Sequence, residues 1–65
     1  MTLQKYLTFL PIDAIVSISI KNTKLSYTDA VYGLIYKDEL NDYHVENVIR
    51  KKKDFLKIDY YIEAA

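Results

Sequence analysis

Leu56, Ile58, Tyr60 and Ile62 take every second position near the end of the chain, with Phe55, Lys57, Asp59, Tyr61 and Glu63 between them. A period of two sets the first group on one side of a strand and the second on the other, with one side buried. Val45 to Ile49 is a second β-rich run, and Arg50-Lys51-Lys52-Lys53-Asp54 lies between the two as a hairpin turn. The phase of Val45, Val48 and Ile49 is not a clean two, which predicts a bulge near Asn47.

Earlier in the chain, Ala14 to Lys21 also reads as a strand. Ala14, Val16, Ile18 and Ile20 alternate with Ile15, Ser17, Ser19 and Lys21, and the run is rich in β-branched residues. Lys21-Asn22-Thr23-Lys24 reads as a turn, because asparagine tolerates left-handed backbone. A very short strand is expected at Lys24 to Ser26.

Helical spacing occurs twice. Leu3, Tyr6, Leu7 and Leu10 make one apolar stripe behind a capping Thr2, and Pro11 is expected to stop that helix. Tyr27, Ala30, Val31, Leu34 and Ile35 share a face of a second helix, capped by Ser26 or Thr28. Gly33 within it costs about 1 kcal/mol against alanine, so it should permit close approach of a neighbouring backbone. The predicted fold is therefore a single α+β domain over residues 1–65. Its elements run α-β-β-α-β-β: a small antiparallel sheet of three to four strands with two short helices on one face.

Size bears on how such a domain survives. Sixty-five residues bury only about 60% of the surface their unfolded chain exposes. The usual aids are disulfides, metals or oligomers. The chain has no cysteine and a single histidine, His44, so a disulfide is excluded and a structural zinc site is not expected. Self-association remains. The absence of cysteine suits a reducing compartment, and cytoplasmic localisation is the expectation. The longest apolar stretch, Ile12 to Ile20, is broken by Asp13, Ser17 and Ser19 and is too short to span a membrane.

Nine basic residues balance nine acidic ones, so bulk charge draws the chain toward neither nucleic acid nor anionic lipid. Its distribution is uneven. Asp38, Glu39, Asp42 and Glu46 form an acidic stretch without calcium-loop spacing. Arg50, Lys51, Lys52 and Lys53 form a basic one. With Lys57 and Tyr61 it is the candidate nucleic-acid surface of an alternative, regulatory reading. Its simpler role is to keep a hairpin tip from pairing edge to edge. Catalytic chemistry is poorly provided for. There is no cysteine nucleophile, and one glycine cannot build a phosphate-cradling loop. His44 reads as a solvent-facing residue of a strand. No enzyme activity, metal or cofactor is expected.

The tyrosines carry the functional expectation. There are seven, against two phenylalanines and no tryptophan. Tyr32 and Tyr36 fall on the helix side opposite the apolar face, and Phe55 and Tyr61 on the polar side of the last strand. Aromatics set away from a core suit protein interfaces, where ring burial and a hydroxyl contact combine. The expected partners are a second copy of the chain and an unidentified protein.

The opening Thr2-Leu3-Gln4-Lys5-Tyr6-Leu7, the strand Ile12-Asp13-Ala14-Ile15-Val16 and the closing Asp54-Phe55-Leu56-Lys57-Ile58-Asp59-Tyr60 together resemble small proteins of phages and prophages of Gram-positive bacteria. That resemblance implies a binding protein that inhibits or modulates a bacterial host protein, including host-defence proteins. It transfers no functional residue.

The size argument predicts a homodimer or larger at micromolar concentration. Sedimentation equilibrium should return a mass well above the 7.7 kDa of one chain; a stable monomer at that concentration would contradict it.

Overall fold

A computed structural model describes residues 1–50 and 57–65, the side chain of Arg50 excepted. Its elements are α1 (Leu3–Leu7), β1 (Ile15–Ile20), β2 (Ser26–Ala30), α2 (Val31–Leu34), a 3-10 turn (Asp38–Leu40), β3 (Val45–Arg50) and β4 (Tyr60–Ala64). The strands lie in the order β2-β1-β4-β3. This is the expected small α+β fold with the expected order of elements.

The sheet is mixed rather than wholly antiparallel. β1 pairs antiparallel with β2, and β3 with β4, as two hairpins would. The hairpins join through a parallel pair, Val16 to Ile20 beside Tyr60 to Ala64. Both central strands place apolar residues on one face in the same phase, which antiparallel reasoning about the hairpins alone does not reveal. Val16, Ile18 and Ile20 of β1 and Ile62 and Ala64 of β4 are buried there with Leu3, Leu7, Val31, Leu34 and Leu40. Tyr27, Val48 and Tyr60 pack around them. The opposite face carries Ser17, Ser19, Ser26, Thr28, Asn47, Ile49, Tyr61 and Glu63, by the register of the pairs.

α1 begins as the sequence predicts. The Thr2 side chain accepts a hydrogen bond from the Lys5 amide at 3.2 Å, and Leu3 and Leu7 are fully buried. The helix ends before Pro11 can act. Bonds from Thr8, Phe9 and Leu10 to the carbonyls three residues back tighten its last turn. The turn after β1 has Asn22 at φ 63°, the left-handed position assigned to it.

The largest correction concerns residues 24 to 35. The short strand lies at Ser26–Ala30, not Lys24 to Ser26, and the second helix shrinks to Val31–Leu34. Tyr27 pairs with Ile18 on the core side, and Thr28 with Ser17 on the other. The residues that share a helical face can equally alternate along a strand, and the waiting edge of β1 decides between them. Neither Ser26 nor Thr28 caps the helix. Its N-cap is Ala30, with no side-chain bond, and the Thr28 hydroxyl donates to Ser17 Oγ at 3.3 Å.

β3 starts at Val45 as expected, with a register shift between Val45 and Asn47 where the bulge was predicted. β4 starts at Tyr60, later than the expected Leu56. Lys57 sits at φ 57°, which extended backbone cannot accommodate. The phase nonetheless holds, since Ile58 and Ile62 are both buried. Leu56 and the turn at 51–54 lie outside the described residues.

The close neighbour of Gly33 is a side chain, not the neighbouring backbone expected. A methyl group there would meet the carboxylate of Asp29, with Cγ at 2.8 Å. That carboxylate also accepts from the Ala30 amide at 2.7 Å, so it is not free to swing away. Gly33→Ala should therefore gain its helix-propensity benefit of about 1 kcal/mol only when Asp29 is shortened. A cycle of Gly33→Ala and Asp29→Ala, followed by urea unfolding, should show positive coupling of about 0.5–1.5 kcal/mol; additive values would mean the contact is not made.

Candidate functional site

The segment after β2 is pinned through its backbone and leaves its aromatic rings outside. The Val31 amide donates to the Ala14 carbonyl at 2.9 Å, and the Tyr32 amide to the Ile12 carbonyl at 3.1 Å. At the far end, Gln4 Nε2 of α1 donates to the Ile35 carbonyl at 3.0 Å. Between these ties Val31 and Leu34 fill the core. Tyr32, on the other side of the turn, is 57% exposed, and Tyr36 one turn later is 84% exposed. Both are exposed, Tyr32 within α2 and Tyr36 in the turn after it.

Ile12, which the sequence pattern did not single out, joins Tyr32. Ile12 is 68% exposed, and its carbonyl holds the Tyr32 amide, so the two backbones touch. Phe9, three residues earlier on the same loop, is 65% exposed. Single exposed apolar residues are ordinary, but Ile12 and Tyr32 form an exposed pair of large side chains joined through one backbone bond. The available signal was weak. Phe9 falls off the Leu3-Tyr6-Leu7-Leu10 stripe, and Ile12 stands alone between Pro11 and Asp13.

The other candidates lie elsewhere. Tyr61 is half-buried on the open face of the sheet, in register with Ser17 of β1 and Ile49 of β3. It is thus remote in the fold from α2, and the interface candidates do not form one set. Phe55, Lys51, Lys52 and Lys53 lie outside the described residues, and Arg50 ends β3.

Among the described residues, the ionisable groups do not converge. Asp38 and Glu39 sit in the 3-10 turn, with Glu39 4.0 Å from Lys37. Glu46 pairs with Lys21 at 3.1 Å on the surface, where such pairs contribute little. His44 is exposed, and its backbone pairs with Ala65. Among the described residues, no three of His, Cys, Asp and Glu could together hold a metal ion. Asp13 and Asp59 line an open recess of about 240 Å³ with Pro11, Ala14 and Tyr60. The Asp59 carboxylate is committed to the Ile15 amide at 2.9 Å, tying the start of β4 to β1. Among the described residues, no helix is long and apolar enough to cross a membrane.

Compared with protein-family models, with curated proteins and with solved structures, the chain matches none of them.

The phenol of Tyr27 departs from its ordinary value. Tyr27, on the core side of β2, has its phenol pushed above 10, first by burial and then by the negative charge of Glu39 and of an ionised Tyr43. A raised folded-state value means that the neutral phenol stabilises the fold below about pH 10, and that this stability is lost as the pH rises through the folded value. Alkaline titration followed by tyrosinate absorbance should show one late-ionising tyrosine that vanishes in Tyr27→Phe. A full set of tyrosines titrating together in the wild type would contradict the assignment.

Proposed function

We propose that this chain is a non-enzymatic binding protein that uses Tyr32 and Tyr36, with Ile12 beside Tyr32, to hold a protein partner, and that it also associates with itself. The observation that carries this reading is the outward position of two large aromatics on a segment whose backbone is tied at both ends. A ring held by a rigid backbone loses little freedom on binding, so more of its contact energy reaches the affinity. Tyrosine adds a hydroxyl that can find a polar partner at the rim of an interface.

The pattern-level resemblance to small phage and prophage proteins supplies the setting. In that setting the partner is a protein of the bacterial cytoplasm, and the chain inhibits or modulates it, a host-defence protein being the kind of target the resemblance suggests. The small size supports self-association, because a second copy supplies the apolar cover that one chain lacks.

The test compares wild type with a Tyr32→Ser/Tyr36→Ser variant as immobilised bait in a lysate of a Gram-positive bacterium, read by quantitative mass spectrometry. Circular dichroism should be unchanged, because neither ring lies in the core. A specific partner should be retained by the wild type and weakened about thirtyfold on the variant, from about 2 kcal/mol for a truncated anchor. Equal retention by both baits would overturn the tyrosine surface.

A further inference from the structure

The two edges of the sheet are finished differently. At the β3 edge the chain start adds a single antiparallel bridge. Val45 donates to the Met1 carbonyl at 3.1 Å, Leu3 donates to the Tyr43 carbonyl at 2.9 Å, and Thr2 bridges His44. The bulge between Val45 and Asn47 then bends that edge. The β2 edge has neither device. Ser26, Thr28 and Asp29 are exposed, and Ser26–Ala30 contains no proline, lysine or bulge.

The ladder shows which groups that edge offers. Ile20 bonds the Leu25 carbonyl, and Val31 bonds the Ala14 carbonyl. In an antiparallel ladder bonded pairs alternate with unbonded ones, so the pairs Ser19–Ser26 and Ser17–Thr28 are unbonded. The amide and carbonyl of Ser26 and of Thr28 therefore point away from β1. Ala30 is different. Its amide is taken by the Asp29 carboxylate, and its carbonyl serves as the N-cap of α2. The free groups are thus one donor and one acceptor at each of two positions, Ser26 and Thr28.

We propose that a second copy of the chain pairs with this edge, β2 against β2, antiparallel about a twofold axis at Tyr27. The proposal rests on the self-association half of the function above. Only an axis at Tyr27 sets Ser26 opposite Thr28 of the partner copy and Thr28 opposite Ser26, so that all the free groups of both edges are used at once. An axis at Thr28 would bond Thr28 to itself and leave Ser26 facing the occupied Ala30. An axis at Asp29 would set two carboxylates face to face. At the chosen axis the two Tyr27 residues form the unbonded pair, where side chains on neighbouring strands come closest. The axis also brings Leu25, 49% exposed at the end of the turn, alongside the partner's β2. The product is a continuous eight-stranded sheet with both sets of helices on one side.

Charge placed at 26 and 28 tests both the edge and its register, with sedimentation equilibrium as the readout and circular dichroism as the check on folding. Both positions are exposed, so each variant should fold. Ser26→Lys/Thr28→Lys sets like charges opposite in this register and should weaken dimerisation about tenfold. Ser26→Lys/Thr28→Glu sets opposite charges across the axis and should restore or tighten it; an axis at Thr28 would instead oppose two carboxylates and weaken it. Thr28→Pro removes an outward amide without touching the β1 ladder and should abolish the dimer. Wild-type-like association in all three variants would overturn the β2 edge while leaving self-association standing. Weakening of the Lys/Glu variant would overturn the register. A monomeric wild type at micromolar concentration would overturn both the edge and self-association, leaving the tyrosine surface to its own test.

Discussion

The parallel pairing of β1 with β4 is the constraint on which the molecule depends. Each hairpin alone is a two-stranded ribbon, and such ribbons are marginal in water. Val16, Ile18 and Ile20 become a core only when Ile62 and Ala64 extend the same apolar face. The contact is costly to close, since Ile15 and Asp59 lie 44 residues apart. Main-chain bonds along the strands and the Asp59 carboxylate on the Ile15 amide offset that cost. Burial of the shared face adds about 25 cal/mol for each Å² of apolar surface removed from water.

The helices follow from that sheet. α1 and α2 have five and four residues, too few to be stable by themselves. They persist because Leu3, Leu7, Val31 and Leu34 lie on the face that β1 and β4 create. Gln4 ties the two segments together through the Ile35 carbonyl. The exposed tyrosines of the α2 segment are therefore held indirectly by a strand pairing on the other side of the core. Function in this chain, as proposed, borrows rigidity from the sheet and not from the helix that carries the rings.

Local signals were legible and distant ones were not. Strand β1, the phase of β4, the Thr2 cap, the left-handed Asn22 and the β3 bulge all arise from residues close in sequence, and each is present. Residues 26–35 misled because Tyr27, Ala30 and Val31 suit either period, and only the presence of the β1 edge selects a strand. Leu40 stands alone in an acidic run, yet it is buried to 1% because the 3-10 turn folds it under the sheet. The outward position of Tyr32 was readable from helical phase, while Tyr36 is exposed in the turn that follows the helix. Ile12 beside Tyr32 was not, because the Tyr32–Ile12 bond is a tertiary fact.

The place of β4 between β1 and β3 has a consequence for how the chain comes into being. Ribosomal synthesis proceeds from the N-terminus, so β4 is made after both strands that it joins. Until then β1 is bare along the side that becomes the middle of the sheet, and its Ile18 and Ile20 have no apolar lid. The nascent chain holds a hairpin with two open edges, β2's and β1's, and the β1 edge, covered later by β4, is the more apolar. Folding is thus a race between the arrival of the last strand and capture of β1 by a stranger. In a chain this short, that interval lasts only as long as the making of the second hairpin.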